Sequence, residues 1–219
     1  MSCWNGKNLF FNEFDSKNSF RKRYNSIFFS LQMNKQQVLS RILSQYKNLS
    51  ENIFDSLNTN EIRNIPLSLN DFPTITVSDI EETLSHLPPD FTNITMLDSL
   101  ELLNINKKDK VGTILNKREL TKVIFKLKKL ALKLNIPTVV LSDLILSRKE
   151  IGNNLSKRPT LFDLRTYAPI DTHADLILLL YRPEYYKIEE WDDEQSSPAN
   201  GEAEIIIAKT IMENLLILE

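Results

Sequence analysis

The sequence predicts an α/β domain of three layers, with a mostly parallel central sheet and an antiparallel edge at its C-terminal end. Three observations predict it. Short apolar runs at Ser26 to Leu31, Ile94 to Asp98, Thr138 to Leu141 and Leu176 to Tyr181 read as strands buried on both faces, because they are continuous rather than alternating. Stretches with apolar residues at helical spacing separate them, and that alternation is the pattern of a parallel sheet covered on both sides. Two last apolar runs, Glu204 to Ala208 and Leu215 to Leu218, lie close enough to pair as a hairpin through Glu213 and Asn214.

In chain order, Ser26 to Leu31 is the first strand, preceded by a basic turn at Arg21, Lys22 and Arg23. Asn34 is placed to cap the following helix, whose apolar stripe is Val38, Leu39, Ile42 and Leu43. Lys47 to Leu69 is polar with weak periodicity and leaves room for one or two short helices. Thr74 to Val77 reads either as an edge strand or as a lead into a helix capped by Ser78, with Glu81 completing a capping box and Pro88 and Pro89 ending it. Ile94 to Asp98 is a second strand with a carboxylate at its end, followed by a polar, lysine-containing loop from Asn104 to Gly112. Arg118 to Leu134 is the clearest helix: Leu120, Ile124, Leu127, Ala131 and Leu134 share one face, and Lys122, Lys126, Lys129 and Lys133 share another. Asn135 and Pro137 stop it before the strand Thr138 to Leu141. Beyond the strand Leu176 to Tyr181, residues 187–203 form an acidic loop expected to be mobile.

Composition narrows the class. A chain of 219 residues with 42% hydrophobic and 26% charged residues is an ordinary globular mix and is read as one domain, 1–219. A net charge of −2 gives no global basic field, so nucleic-acid binding has to rest on local patches. Four glycines argue against many glycine-rich loops, and the single cysteine, Cys3, rules out an internal disulfide framework. Met1 to Phe14 lacks the pattern of a secretory signal, and Leu176 to Tyr181 is too short to span a bilayer. The expected location is the cytoplasm, with no membrane contact.

Three consecutive stretches carry a family resemblance: KRPTLFDLR from Lys157 to Arg165, DTHAD from Asp171 to Asp175, and LILLLYRPEYY from Leu176 to Tyr186. With IFFSLQM from Ile27 to Met33, they resemble the C-terminal motor domain of the bacterial replicative DNA helicases of the DnaB type. The resemblance spans nearly the whole chain in order and is weakest over 47–93. It implies a RecA-like P-loop NTPase fold, with ATP and Mg²⁺ as cofactors and a hexameric ring that unwinds DNA during replication.

The motor residues that the resemblance picks out are largely altered. Family members hold ATP phosphates on a glycine-rich loop ending in Gly-Lys and a hydroxyl residue. Gly6, Lys7 and Asn8 match the end of that loop, with Asn8 where the hydroxyl belongs; the first glycine and the strand before it fall at or before Met1, so the loop reads as truncated. The strand that matches Phe28 to Met33 carries in the family a Glu that polarises the attacking water, and here the residue is Gln32. The metal-anchoring Asp is kept as Asp98, with Asn8 beside it as a poorer second ligand. Asp143 stands where a Gln senses the γ-phosphate. Lys209 matches a lysine that reaches the neighbouring subunit's ATP, but the arginine that accompanies it is replaced within Thr210 to Asn214.

For DNA, the resemblance implies that channel-facing loops grip single strands by their phosphates, one of them between Arg165 and Asp171. Pro169 stiffens that loop and removes a donor, while Tyr167 is placed to stack on a base, though an exposed tyrosine usually does not. Arg148, Lys149, Lys157 and Arg158 form a local basic cluster around the Gly152-Asn153-Asn154 segment. The lysine stripe of the Arg118 to Leu134 helix is read as a solvated face, and His173 as structural. Three readings stand at this point: a helicase motor with weak or no ATP hydrolysis, a non-catalytic protein that joins a helicase ring or binds DNA passively, and a truncated remnant.

Overall fold

The structure, a computed structural model, describes residues 25–47, 66–88, 91–92, 94–106, 115–144, 157–167, 169–191 and 197–211. Gly6, Lys7, Asn8, the Arg21 to Arg23 turn, Arg148, Lys149, the Gly152 to Asn154 segment and Leu215 to Leu218 lie outside the described residues, as do the side chains of Leu43 and Tyr167. Those described fall into two compact units, 25–143 and 144–211. None of the described helices is long and apolar enough to cross a membrane.

The first unit is built on a four-stranded parallel sheet. Its strands are β1 (Ser26–Ser30), β2 (Leu67–Asn70), β3 (Ile94–Asp98) and β4 (Thr138–Val140), in the order β2-β1-β3-β4. In register, Ser26 lies opposite both Leu67 and Ile94, and Thr95 lies opposite Thr138. The order follows from the sequences. β1 is buried at every position and β3 at all but its first, and strands covered on both faces occupy the centre of a sheet. β2 and β4 are half-exposed and form the outer strands among those described. Thr138 to Leu141 is thus less buried than its apolar sequence suggests. β2 itself was not foreseen: Leu67-Ser68-Leu69-Asn70 has only two apolar residues in alternation.

Three helices accompany these strands. In α1 (Lys35–Lys47), Asn34 is the cap the sequence called for: its Oδ1 accepts the Gln37 N–H at 2.9 Å, and Gln37 Oε1 accepts the Asn34 N–H at 3.1 Å in return. Val38 and Ile42 are fully buried on its inner face. Asp71, just after β2, accepts the Lys35 N–H at 2.9 Å, and that hydrogen bond holds its carboxyl below the usual carboxylate range. α2 (Val77–Ser85) begins two residues earlier than the Ser78 cap would allow. Its N-cap is Thr76, whose hydroxyl accepts from the Asp79 N–H while the Asp79 carboxylate accepts from the Thr76 N–H. Starting there places Val77 in the buried stripe with Ile80 and Leu84, which a cap at Ser78 would leave outside the helix.

α3 (Lys117–Leu134) is the crossover between β3 and β4. It buries Leu120, Val123, Ile124, Leu127 and Leu130, and leaves Lys122, Lys126, Lys129 and Lys133 on its exposed side. Lys133 donates to Glu81 at 2.6 Å and Lys129 lies 4.4 Å from the Phe125 ring centre, so the lysine stripe is a surface face. Asn116 caps the helix in a box with Glu119, and Asn135 ends it in the left-handed conformation at φ 53°. Asn116→Ala is expected to cost about 1 kcal/mol of stability in a urea titration, the usual value of an N-cap side chain.

The second unit holds α4 (Leu161–Tyr167) and an antiparallel pair, β5 (Leu176–Tyr181) and β6 (Glu204–Thr210). β6 thus finds its described partner in β5 and runs two residues further than its apolar core. β5 was expected to be buried on both faces, but it alternates. Ile177, Leu179 and Tyr181 face the core with Leu164, Ile206 and Ala208, whereas Leu176 and Leu178 are 55% and 40% exposed. Leu161, Leu164 and Ala174, from the stretches that resemble the helicases, supply much of this packing. The ends of the acidic loop are paired: Trp191 N–H donates to Ser197 O at 2.8 Å and Ala199 N–H to Glu189 O at 2.8 Å. Tyr181 stacks on Tyr186 and meets the edge of Trp191, which ties this arm to β5.

Candidate functional site

Because the four strands of the first unit are parallel and in register, their carboxyl ends lie side by side, which is where open α/β sheets bind ligands. Gln32, Asp98 and Asp143 follow or end three neighbouring strands there. Asp98 closes β3 and is 3% exposed. Its carbonyl accepts the Leu31 N–H at 2.6 Å, which joins the exit of β1 to the end of β3. The Gln32 side chain crosses the same seam: its amide donates to Ser99 Oγ at 3.0 Å, immediately beyond Asp98.

The exit of β4 is held from the other side. Leu141 N–H donates to Leu97 O at 2.9 Å, and Leu100 N–H donates to Leu141 O at 2.8 Å. Glu101, only 7% exposed, receives the Ser142 hydroxyl at 2.5 Å and the Asp143 N–H at 2.9 Å through one carboxylate oxygen. Asp143 itself is exposed. Glu101 and Ser99 are the residues that reading the sequence missed. Their signal was present, since both sit within three residues of Asp98, but their partners are distant in the chain.

Chemically, this end of the sheet offers an amide at Gln32 and carboxylates at Asp98, Glu101 and Asp143, with Glu101 spent on the backbone and hydroxyl of the β4 exit. A carboxamide does not take up a proton at neutral pH, so Gln32 supplies hydrogen bonds and no base. Among the described residues no group of three or more His, Cys, Asp and Glu side chains is arranged to hold a metal ion. One buried carboxylate at a strand end suits a magnesium ion that arrives with a phosphate ligand and its own waters, and not a resident ion held by protein alone.

The remaining candidates lie in the second unit. Lys209, on β6, donates to the backbone oxygens of Asp171 at 2.6 Å and Ala174 at 2.7 Å. Its ammonium therefore fastens the short 3-10 turn Ile170–Thr172 to β6. Lys209→Met is expected to lower the stability of this unit by about 2 kcal/mol, the value of two charge-assisted bonds to partly buried carbonyls, measured by urea denaturation. Arg158 is exposed and paired with Glu204, and Lys157 is half-buried. Tyr167 is the last residue of α4 and not part of a loop, because Thr160 and Asp163 cap that helix and carry it forward. Arg165 then donates to Asp171 at 2.6 Å, which joins the two ends of the segment expected to be a loop.

Comparisons with known proteins agree with this architecture. The family described as the DnaB-like helicase C-terminal domain matches residues 3–212. A probable replicative DNA helicase of Trieres chinensis is 29% identical over 197 residues, covering 84% of this chain and 41% of that protein. The replicative DNA helicase DnaB of Mycobacterium intracellulare is 28% identical over 204 residues, covering 87% of this chain and 33% of that protein. The chain thus spans less than half the length of these curated relatives. Among solved structures, a DnaB-like replicative helicase studied with primase superposes with a TM-score of 0.67 at 24% identity, covering 89% of this chain and 48% of that one. A solved ATPase domain gives 0.73 at 23% identity, covering 94% and 73%. A KaiC-like protein of Pyrococcus horikoshii gives 0.55 at 14%, covering 96% and 76%. The fold is that of the RecA-like P-loop ATPases, and the chain belongs to the DnaB-like helicase C-terminal domain family.

Proposed function

We propose that this chain is a replicative-helicase motor domain that has kept the scaffold and the metal-anchoring carboxylate while losing the groups needed for fast ATP hydrolysis. One observation carries the reading. At the exit of β1, where the family places a catalytic carboxylate, stands Gln32, and its amide is turned into a hydrogen bond with Ser99 beside Asp98. A positioned general base contributes about 10²–10⁴-fold to such a reaction, and an amide contributes none of it.

Asp98 is the residue that would anchor Mg²⁺ through water, with Asn8 as a weak second ligand, and Gly6 and Lys7 would meet the phosphates. The bound ion and nucleotide would supply the transferable phosphoryl group and neutralise its charge. Asp143 works against them, because its exposed carboxylate at the neighbouring strand end repels phosphate oxygens. Single-stranded DNA is the polymer substrate in this reading, met by Arg148, Lys149, Lys157, Arg158 and Tyr167, and the assembly is a homo-oligomeric ring or a place in a helicase ring.

The engagement of Lys209 favours a second reading, in which the fold is a non-catalytic partner of a helicase ring. A lysine bound to two carbonyls of its own unit acts as a structural clamp. Titration of a fluorescent ATP analogue with magnesium tests the first reading: weak binding, at or beyond the millimolar end of the usual ~1 μM to 1 mM range, is expected. Micromolar binding together with turnover stimulated by single-stranded DNA would refute the loss of hydrolysis. Light scattering separates the two assemblies, because a strict monomer that enters rings only when mixed with an intact helicase supports the second.

A further inference from the structure

After β2 the chain does not enter α2 directly. Asn70 Oδ1 accepts the Phe72 N–H at 3.2 Å, an Asx turn that swings the Phe72 ring outward and leaves it 62% exposed. Further on, Asn104 N–H donates to Ile75 O at 2.9 Å, and Thr76 bridges Asn104 in parallel, which pins the segment against the chain beyond β3. Between this segment and α2 lies a cleft of about 560 Å³. It sits at the β2 side of the sheet and uses none of Gln32, Asp98 or Asp143.

The lining of this cleft is rich in acceptors. Asp79 and Glu82 contribute two carboxylates, and among the described residues neither Lys nor Arg lines it. His86 Nδ1 lies 2.7 Å from Glu82 O; a carbonyl only accepts, so Nδ1 carries the hydrogen and Nε2 is the acceptor of the neutral ring. Thr83 donates its hydroxyl hydrogen to Asp79 O at 2.8 Å, which leaves that oxygen to accept. The lining therefore calls for a ligand that is positively charged, has many donors, and has a flat face for the Phe72 ring.

We propose that this cleft receives a guanidinium group, as the side chain of an arginine presented by a partner polypeptide. Guanidinium has five N–H donors in one plane, stacks on aromatic rings and cannot lose its charge at physiological pH. A lysine ammonium matches the charge but not the plane. The cleft is shallow, with Phe72, Glu82 and His86 all exposed, whereas sites for free small molecules bury most of their ligand; a side chain held by its own backbone fits this shape better. The site goes beyond the nucleotide reading and stands without it.

Nitrogen-15 NMR of the full chain tests this, with the blocked tripeptide acetyl-Gly-Arg-Gly-amide as the probe and its lysine counterpart as the control. Saturable shifts are expected at the amides of Phe72, Glu82, Thr83 and His86, with the lysine peptide binding about 5-fold more weakly. Phe72→Ala and Glu82→Gln, both at exposed positions, are each expected to weaken the arginine peptide by about 3-fold while the rest of the spectrum stays unchanged. The proposal is overturned if no saturable shift occurs in the cleft, if shifts are spread over the whole molecule, or if arginine and lysine peptides bind alike and neither variant changes them.

Discussion

Replacing Gln32 with Glu is expected to raise the single-turnover rate of ATP hydrolysis by about 10²-fold, measured at saturating ATP and magnesium. Gln32 and Glu are nearly isosteric, so the carboxylate would occupy the place of the amide now 3.0 Å from Ser99 Oγ. The change adds a group able to accept a proton from water without disturbing the seam between β1 and β3, because that seam is fixed by the Leu31 N–H on Asp98 O. A gain of about 10²-fold is the low end for a general base. Adding Asp143→Gln is expected to tighten nucleotide binding rather than speed the chemical step, since it removes repulsion present in ground and transition states alike. No gain from Gln32→Glu would mean that the exit of β1 does not face the nucleotide.

Phe29→Ala is expected to cost about 3–5 kcal/mol, measured by urea denaturation of the first unit. Phe29 is 0% exposed and lies on β1, between β2 and β3, so the cavity it leaves cannot close by a surface shift. Domains are stable by only about 5–15 kcal/mol, so the variant would lose a large share of its stability. A loss below about 1 kcal/mol would show that β1 is not a central strand and would undo the placement of Gln32 and Asp98 together.

How far the fold could be read from the chain depended on where the signal lay. β1, β3, α1 and α3 announced themselves through continuous apolar runs or strong helical periodicity, and Asn34 and Asn135 marked helix ends by local hydrogen-bonding chemistry. β2 was invisible because a four-residue, half-exposed outer strand with two leucines carries almost no pattern. Ser78 was mistaken for the cap because Thr76 and Asp79 make the same box, and only the burial of Val77 decides between them.

At the candidate site, the motif residues were legible and their partners were not. The sequence shows Gln32, Asp98 and Asp143, but not that Ser99 takes the amide of Gln32 or that Glu101 holds Ser142 and the backbone of Asp143. Those contacts join positions roughly forty and seventy residues apart and exist only once the parallel sheet aligns its strand ends. Lys209 adds a further case: the two carbonyls that hold its ammonium, Asp171 O and Ala174 O, are legible only in the fold.

We propose a helicase scaffold that survives without a working hydrolytic centre. The measurement that meets it most directly is a quench assay of labelled ATP with excess chain, magnesium and a single-stranded oligonucleotide. A rate at least about 10³-fold below the ~10 s⁻¹ typical of enzymes, unchanged by the oligonucleotide, is expected. A rate near 1 s⁻¹ that rises when the oligonucleotide is added would contradict it.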